Sequence, residues 1–137
     1  MKKIFSYAGY GFVCISALSL AWVAAMAWYN PQAVMDLVHV TLNNTDALSS
    51  IRGVYGGVGF SVIAVLIYTM RRNLPLALLF LSLFWLLYAL SRLVTIWADG
   101  SLGSFGSNWL TIETTFGMIA LVLYLGNRKR SQKTVTT

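Results

Sequence analysis

The chain has 137 residues, of which 58% are hydrophobic and 10% charged, with a formal net charge of +6 and a mean hydropathy of +0.70. A soluble domain carries about 25% charge, and a globule this small has no room to hide several apolar runs of about 20 residues each, so the composition excludes a water-soluble fold. Nucleic-acid binding is excluded too: Arg128, Lys129, Arg130 and Lys133 directly follow an apolar run, where cations set membrane orientation, and no aromatic-flanked basic groove accompanies them.

The first apolar run covers about residues 4–28 and follows Lys2 and Lys3. Its end, Ala25, Met26 and Ala27, imitates a signal-peptide cleavage site, but the stretch exceeds the ~7–15 residues of a signal peptide's apolar region and reads as a retained span. Cys14 is the single cysteine and lies within this run, which leaves no internal disulfide, CxxC pair or thiolate metal site; it reads as a small hydrophobe. Next comes a segment in which Asn30 can cap a short helix beginning at Pro31, with Val34, Met35, Leu37 and Val38 as an apolar face lying along the membrane surface. Asn43, Asn44 and Thr45 match a glycosylation sequon, a short pattern without meaning in a bacterium.

The second run covers about 47–70, and Arg71, Arg72 and Asn73 make a tight turn into the third, about 74–98. Residues 100–107, rich in Gly and Ser, have the composition of a flexible loop; the fourth run is about 109–126, followed by a basic tail at 127–137. Each run crosses about 30 Å of hydrocarbon at about 1.5 Å per residue. The predicted fold is therefore all-α: one integral membrane domain over 1–137, a four-helix bundle with a short interfacial helix in the first long connection. Lys2, Lys3, Arg71, Arg72, Arg128, Lys129, Arg130 and Lys133 fall at the two termini and the second connection, whereas the other two connections carry Asp36, His39, Asp46 and Asp99 without a cation. The positive-inside rule then places both termini in the cytoplasm of a bacterial inner membrane.

Arg52, Arg92 and Glu113 remain inside the spans. Counted from expected helix ends at Asp46, Asp99 and Asn108, all three lie roughly 8–10 Å below the outer face. An ionised group in hydrocarbon costs at least about 2.5–3.5 kcal/mol, so they should face the bundle interior and one another. Helical spacing puts Tyr55, Gly56 and Gly59 on the face of Arg52, and Trp85, Tyr88 and Thr95 on that of Arg92. Phe116 and Gly117 follow Glu113 in the same way. One reading is an outward-facing chamber of Arg52, Tyr55, Tyr88, Arg92 and Glu113, supported by Asp99, that binds an anionic small molecule or a lipid headgroup. A second is structural: Glu113 pairs with Arg92, and Arg52 is held by Tyr88, Asp99 or a backbone carbonyl, pinning helices in an accessory subunit with a membrane protein partner.

A catalytic reading would use Glu113 as a general acid or base, but no His or nucleophile pair accompanies it, and no catalytic residue or metal ligand is assigned. His39 reads as a surface residue. Gly53 and Gly57 form a small-xxx-small pair, and Gly56 and Gly59 add a second bare strip, which suits close helix approach or leaves room for a ligand beside Arg52. Tyr7, Trp22, Trp28, Tyr29, Trp97 and Trp109 read as interfacial anchors in contact with membrane lipid. No cofactor is expected; a haem would need axial ligands that the spans do not offer.

The run from Arg52 through Gly53, Val54, Tyr55 and Gly56 to Gly57, then Arg92, Asp99 with Gly100, and Glu113, resembles a bacterial membrane family catalogued as domain of unknown function 4345. The resemblance takes in nearly the whole chain, including Asn30 and Pro31, and implies a compact four-helix inner-membrane protein without an assigned activity. A looser similarity in size and helix count to DoxX-like membrane proteins implies a third reading, a small membrane enzyme or quinone-linked redox partner. The charge pattern makes a direct prediction. A reporter active only after export stays silent when fused after Thr137, whereas a reporter active only in the cytoplasm gives full signal there; the opposite result would reverse the topology.

Overall fold

The computed structural model describes residues 2–131; Met1 and the tail at 132–137, with Lys133, lie outside the described residues, as do the side chains of Lys2, Lys129, Arg130 and Ser131. The described residues form helices and no strand: α1 (Lys2–Tyr29), α2 (Pro31–Asp36), α3 (Thr45–Ile51), a π-helical turn (Arg52–Gly57), α4 (Val58–Arg72), α5 (Leu74–Asp99) and α6 (Ser104–Ser131). Lys3–Tyr29, Thr45–Arg72, Leu74–Asp99 and Ser104–Arg128 are long and apolar enough to cross a membrane, and the chain is a multi-pass membrane protein. It divides into two compact units, one of the described residues in 1–13 and 69–137, the other of 14–68.

Local capping chemistry sets most helix ends. Asn30 and Asn73 accept hydrogen bonds from Ala33 N (3.3 Å) and Leu76 N (3.1 Å), each with a proline in the first turn that follows. Proline suits that turn because its missing N–H has no helical partner to lose. Arg71 and Arg72 close α4, where the negative end of the helix dipole favours cations. Asn73 alone links α4 to α5, so the expected tight turn is a single capping residue.

In the unit of 1–13 and 69–137, α5 and α6 run antiparallel against each other, and the start of α1 joins them. Gly117 lets α5 and α6 approach closely: a Cβ there would stand 2.6 Å from Leu86 Cγ and 3.2 Å from the Leu86 backbone N. Ser82, fully buried, donates to the Gly117 carbonyl at 3.2 Å across the same crossing. Phe116 stacks against Trp85 (5.4 Å) and Phe12 (5.5 Å), joining three helices in one aromatic layer. Towards the start of α1, Gly126 makes room for Phe5, and the buried Asn127 donates to the Phe5 carbonyl (3.1 Å) while accepting from Ser6 Oγ (3.1 Å).

In the unit of 14–68, α1 lies against the π-helical turn and α4. A Cβ on Gly56 would fall 1.9 Å from Trp28 Cδ1, and one on Gly59 would fall 2.9 Å from Ala24 Cβ. Trp28 also meets Phe60 edge to face at 4.8 Å. Ala27, Val34 and Met35 form a small buried cluster flanked by Met26, Leu42 and Ile51.

The structure corrects several expectations. The short helix at Pro31 exists, but Val34 and Met35 turn onto α1 instead of the membrane surface, and Leu37 and Val38 fall outside it. The stretch 100–107 is only half loop: α6 begins at Ser104, where Leu102 covers Gly106 and Phe105 meets Trp109 one turn on at 6.1 Å. The cap of α3 is Asn44, which accepts from Ala47 N at 2.8 Å, and Asp46 sits in the first turn. Cys14 is exposed on α1 rather than packed.

A methyl group on Gly53 or Gly57 would meet no neighbour within 4 Å among the described residues, so the close approach belongs to Gly56 and Gly59. Alanine substitution separates the two pairs. Gly56→Ala must push the Trp28 ring aside and is expected to destabilise by about 1–3 kcal/mol. Gly53→Ala and Gly57→Ala meet open space and are expected to be neutral or to stabilise by up to about 1 kcal/mol through helix propensity. Thermal unfolding in detergent, followed by circular dichroism, reads the difference.

Candidate functional site

Arg92 and Glu113 stand opposite each other where α5 and α6 cross. Arg92 Nε donates to Glu113 Oε2 at 2.7 Å and Nη2 donates to Oε1 at 2.8 Å, a parallel two-bond fork. Glu113 is 2% exposed and the Arg92 side chain 23%. Phe116, one turn from Glu113, belongs to the aromatic layer with Trp85, so apolar rings lie one turn from the pair. Glu113 lies nine residues inside α6, counted from Ser104, and Arg92 seven inside α5, counted from Asp99; these spacings put the pair about 10–13 Å from the helix ends. The ion pair of the structural reading is therefore present, with both carboxylate oxygens engaged.

The companions of this pair are less involved. Tyr88 shares the Arg92 face, is 46% exposed, and stacks on Phe84 at 5.0 Å. Asp99 is the exposed last residue of α5 and makes no hydrogen bond or ion pair with a described residue. Buried Trp85 Nε1 has no hydrogen-bond partner among the described residues. Hydroxyls along these helices turn back on their own backbone: Thr95 onto Ser91 O (3.1 Å), Thr111 onto Ser107 O (3.2 Å) and Thr114 onto Leu110 O (2.7 Å). Such bonds satisfy the side chain where no water can.

Arg52 and Tyr55 belong to the other unit. Arg52 Nε donates to the backbone carbonyl of Trp28 at 3.2 Å. That carbonyl belongs to the last turn of α1, whose final acceptors have no partner within the helix, so the guanidinium caps α1 from a neighbouring helix. Its charged group therefore reaches the end of α1, while Arg52 itself stands seven residues, about 10 Å, inside the helix that starts at Thr45. Tyr55 is 36% exposed and forms no hydrogen bond with a described residue.

Two polar organisers are not apparent from the sequence. Its charge pattern groups Asn127 with the basic tail, yet Asn127 is 4% exposed and bonded to Ser6, Phe5 and Leu123. Gln32 ties up the connection after α2 by donating to Asp36 Oδ1 (2.6 Å) and Val40 O (2.9 Å) and accepting from Leu42 N (2.8 Å). Asn127 does carry a signal, because it follows Leu123 and Ala120 at steps of four and seven on one helical face, whereas nothing local distinguishes Gln32.

A double-mutant cycle measures the fork. Glu113→Gln is expected to lower stability by about 2–3 kcal/mol, less than the ~3–5 kcal/mol of a fully buried pair because Arg92 keeps 23% exposure. Arg92→Met alone should cost a similar amount, and the Arg92→Met/Glu113→Leu double variant much less than their sum.

No curated protein and no solved structure matches the chain. The family model described as Domain of unknown function (DUF4345) matches residues 10–124, a stretch that runs through both units and contains Arg52, Arg92 and Glu113. The chain is a member of that family.

Proposed function

We propose that the protein is a non-enzymatic structural or accessory component of a membrane assembly, a single domain of the inner membrane with both termini in the cytoplasm, in which Arg92 and Glu113 act as a helix staple. The observation that carries this reading is the closed fork. Both oxygens of a carboxylate that is 2% exposed are spent on one guanidinium. A general acid or base has to reach a substrate proton, and a carboxylate held in this way is better suited to fixing α5 on α6. Polar side chains that bond between helices are a recurrent source of specificity in a membrane, where apolar contacts alone discriminate poorly against lipid. The Ser82 to Gly117 bond and the Asn127 cluster serve the same purpose elsewhere along α6.

The apolar swap Arg92→Met/Glu113→Leu tests this role. A staple can be replaced by well-packed apolar side chains, so the double variant should insert, accumulate and migrate on native gels at the apparent mass of the wild type. A variant that is folded and monodisperse but has lost the wild-type assembly size would show that the charges contact a partner or ligand directly, and would overturn the proposal.

A further inference from the structure

Arg52 is the one cation between residues 14 and 68, and it is exposed at the level of the last turn of α1. Trp28 and Tyr29 in that turn are 56% and 93% exposed, as expected of aromatic anchors at the boundary between hydrocarbon and headgroups. The guanidinium uses Nε for the Trp28 carbonyl, and no other hydrogen bond or ion pair joins it to a described residue. Its Nη edge therefore presents a two-nitrogen fork with the orientation already fixed by the Nε bond. Asp36 and Asp46, the acidic residues of the same unit, do not pair with it.

The backbone around Arg52 is bare. Gly53 and Gly57, at either end of the segment that follows it, have nothing within 4 Å of a Cβ position. The segment is a π-helical turn, a rare geometry that is frequent at functional sites. A cation at this depth with unsatisfied N–H groups calls for an anion, and a planar guanidinium edge matches two oxygens of a phosphate better than an ammonium can. The headgroup layer supplies phosphodiesters at that level.

From this geometry we infer that Arg52 is a phosphate-binding site that holds the headgroup of one anionic phospholipid against the end of α1, independently of the Arg92–Glu113 staple. Nε anchors the side chain on protein, and the Nη edge binds the phosphate. Helix α1 gains from this arrangement, since the bound anion keeps the capping cation in place.

The test uses the full chain in detergent, with native mass spectrometry as the readout. Phosphatidylglycerol, phosphatidylcholine and inorganic phosphate are added separately to the wild type, Arg52→Gln and Arg52→Lys, with Lys3→Gln as a remote charge control. The expected result is one phosphatidylglycerol retained by the wild type and by Lys3→Gln, about tenfold weaker retention by Arg52→Gln, equivalent to about 1.4 kcal/mol, and several-fold weaker retention by Arg52→Lys. Arg52→Lys keeps the charge without the fork, so it decides the matter even where the glutamine variant fails to fold. Binding of inorganic phosphate that depends on Arg52, without retention of phosphatidylglycerol, would support the phosphate site but overturn its assignment to lipid. Equal retention by the wild type and a folded Arg52 variant would overturn the site itself.

Discussion

In a hydrocarbon solvent there is no water to complete a hydrogen bond, so a polar group in a span is stabilised by a partner within the protein. This constraint explains why Glu113 gives both oxygens to Arg92, why Thr95, Thr111 and Thr114 bond back to carbonyls of their own helices, and why Asn127 is shared among Ser6, Phe5 and Leu123. It also orders the spans along their length. The fork closes one part of the α5–α6 crossing and the Asn127 cluster fixes α6 to the start of α1, with the aromatic layer of Phe12, Trp85 and Phe116 as apolar packing. Ser82 and Gly117 add a polar contact along the same crossing.

Small residues complement these bonds. Lipid tails solvate a leucine as well as another helix does, so association depends on how closely backbones approach and how well side chains interlock. Gly117 admits Leu86, Gly126 admits Phe5, and Gly56 admits Trp28. In each case a large side chain of one helix lies over bare backbone of another, which gains dispersion contacts that a methyl group would displace.

The four spans are legible in the sequence because length and hydropathy suffice for them, and the pairing of Arg92 with Glu113 is legible because two opposite charges in hydrocarbon have few other choices. The location of Arg52 is not. Counting residues from its own helix end gives a depth, but the group is positioned by the end of α1, which is distant in sequence. The start of α6 is hidden in a Gly- and Ser-rich stretch whose composition suggests a loop, whereas Leu102 over Gly106 and Phe105 against Trp109 favour a helix. The roles of the four glycines from 53 to 59 depend on which of them faces Trp28 and Ala24, and the π-helical turn that sets this phase has no signature in a periodicity of 3.6.

That turn also acts as a rotational spacer. Its hydrogen bonds span five residues instead of four, so the segment holds one residue more than a regular helix of the same hydrogen-bonding register. Relative to an uninterrupted α-helix, the side chains of α3 are therefore turned by about 100° around the axis with respect to those of α4. Rewinding the same residues to α geometry would swing Arg52 away from the Trp28 carbonyl while Gly59 stayed against Ala24, whereas deleting one residue between 53 and 57 would let the turn close as α-helix with the phase of Arg52 retained. One glycine-rich turn thus lets the same continuous helix pack against α1 with small residues in one part and reach its final carbonyls with a cation in another.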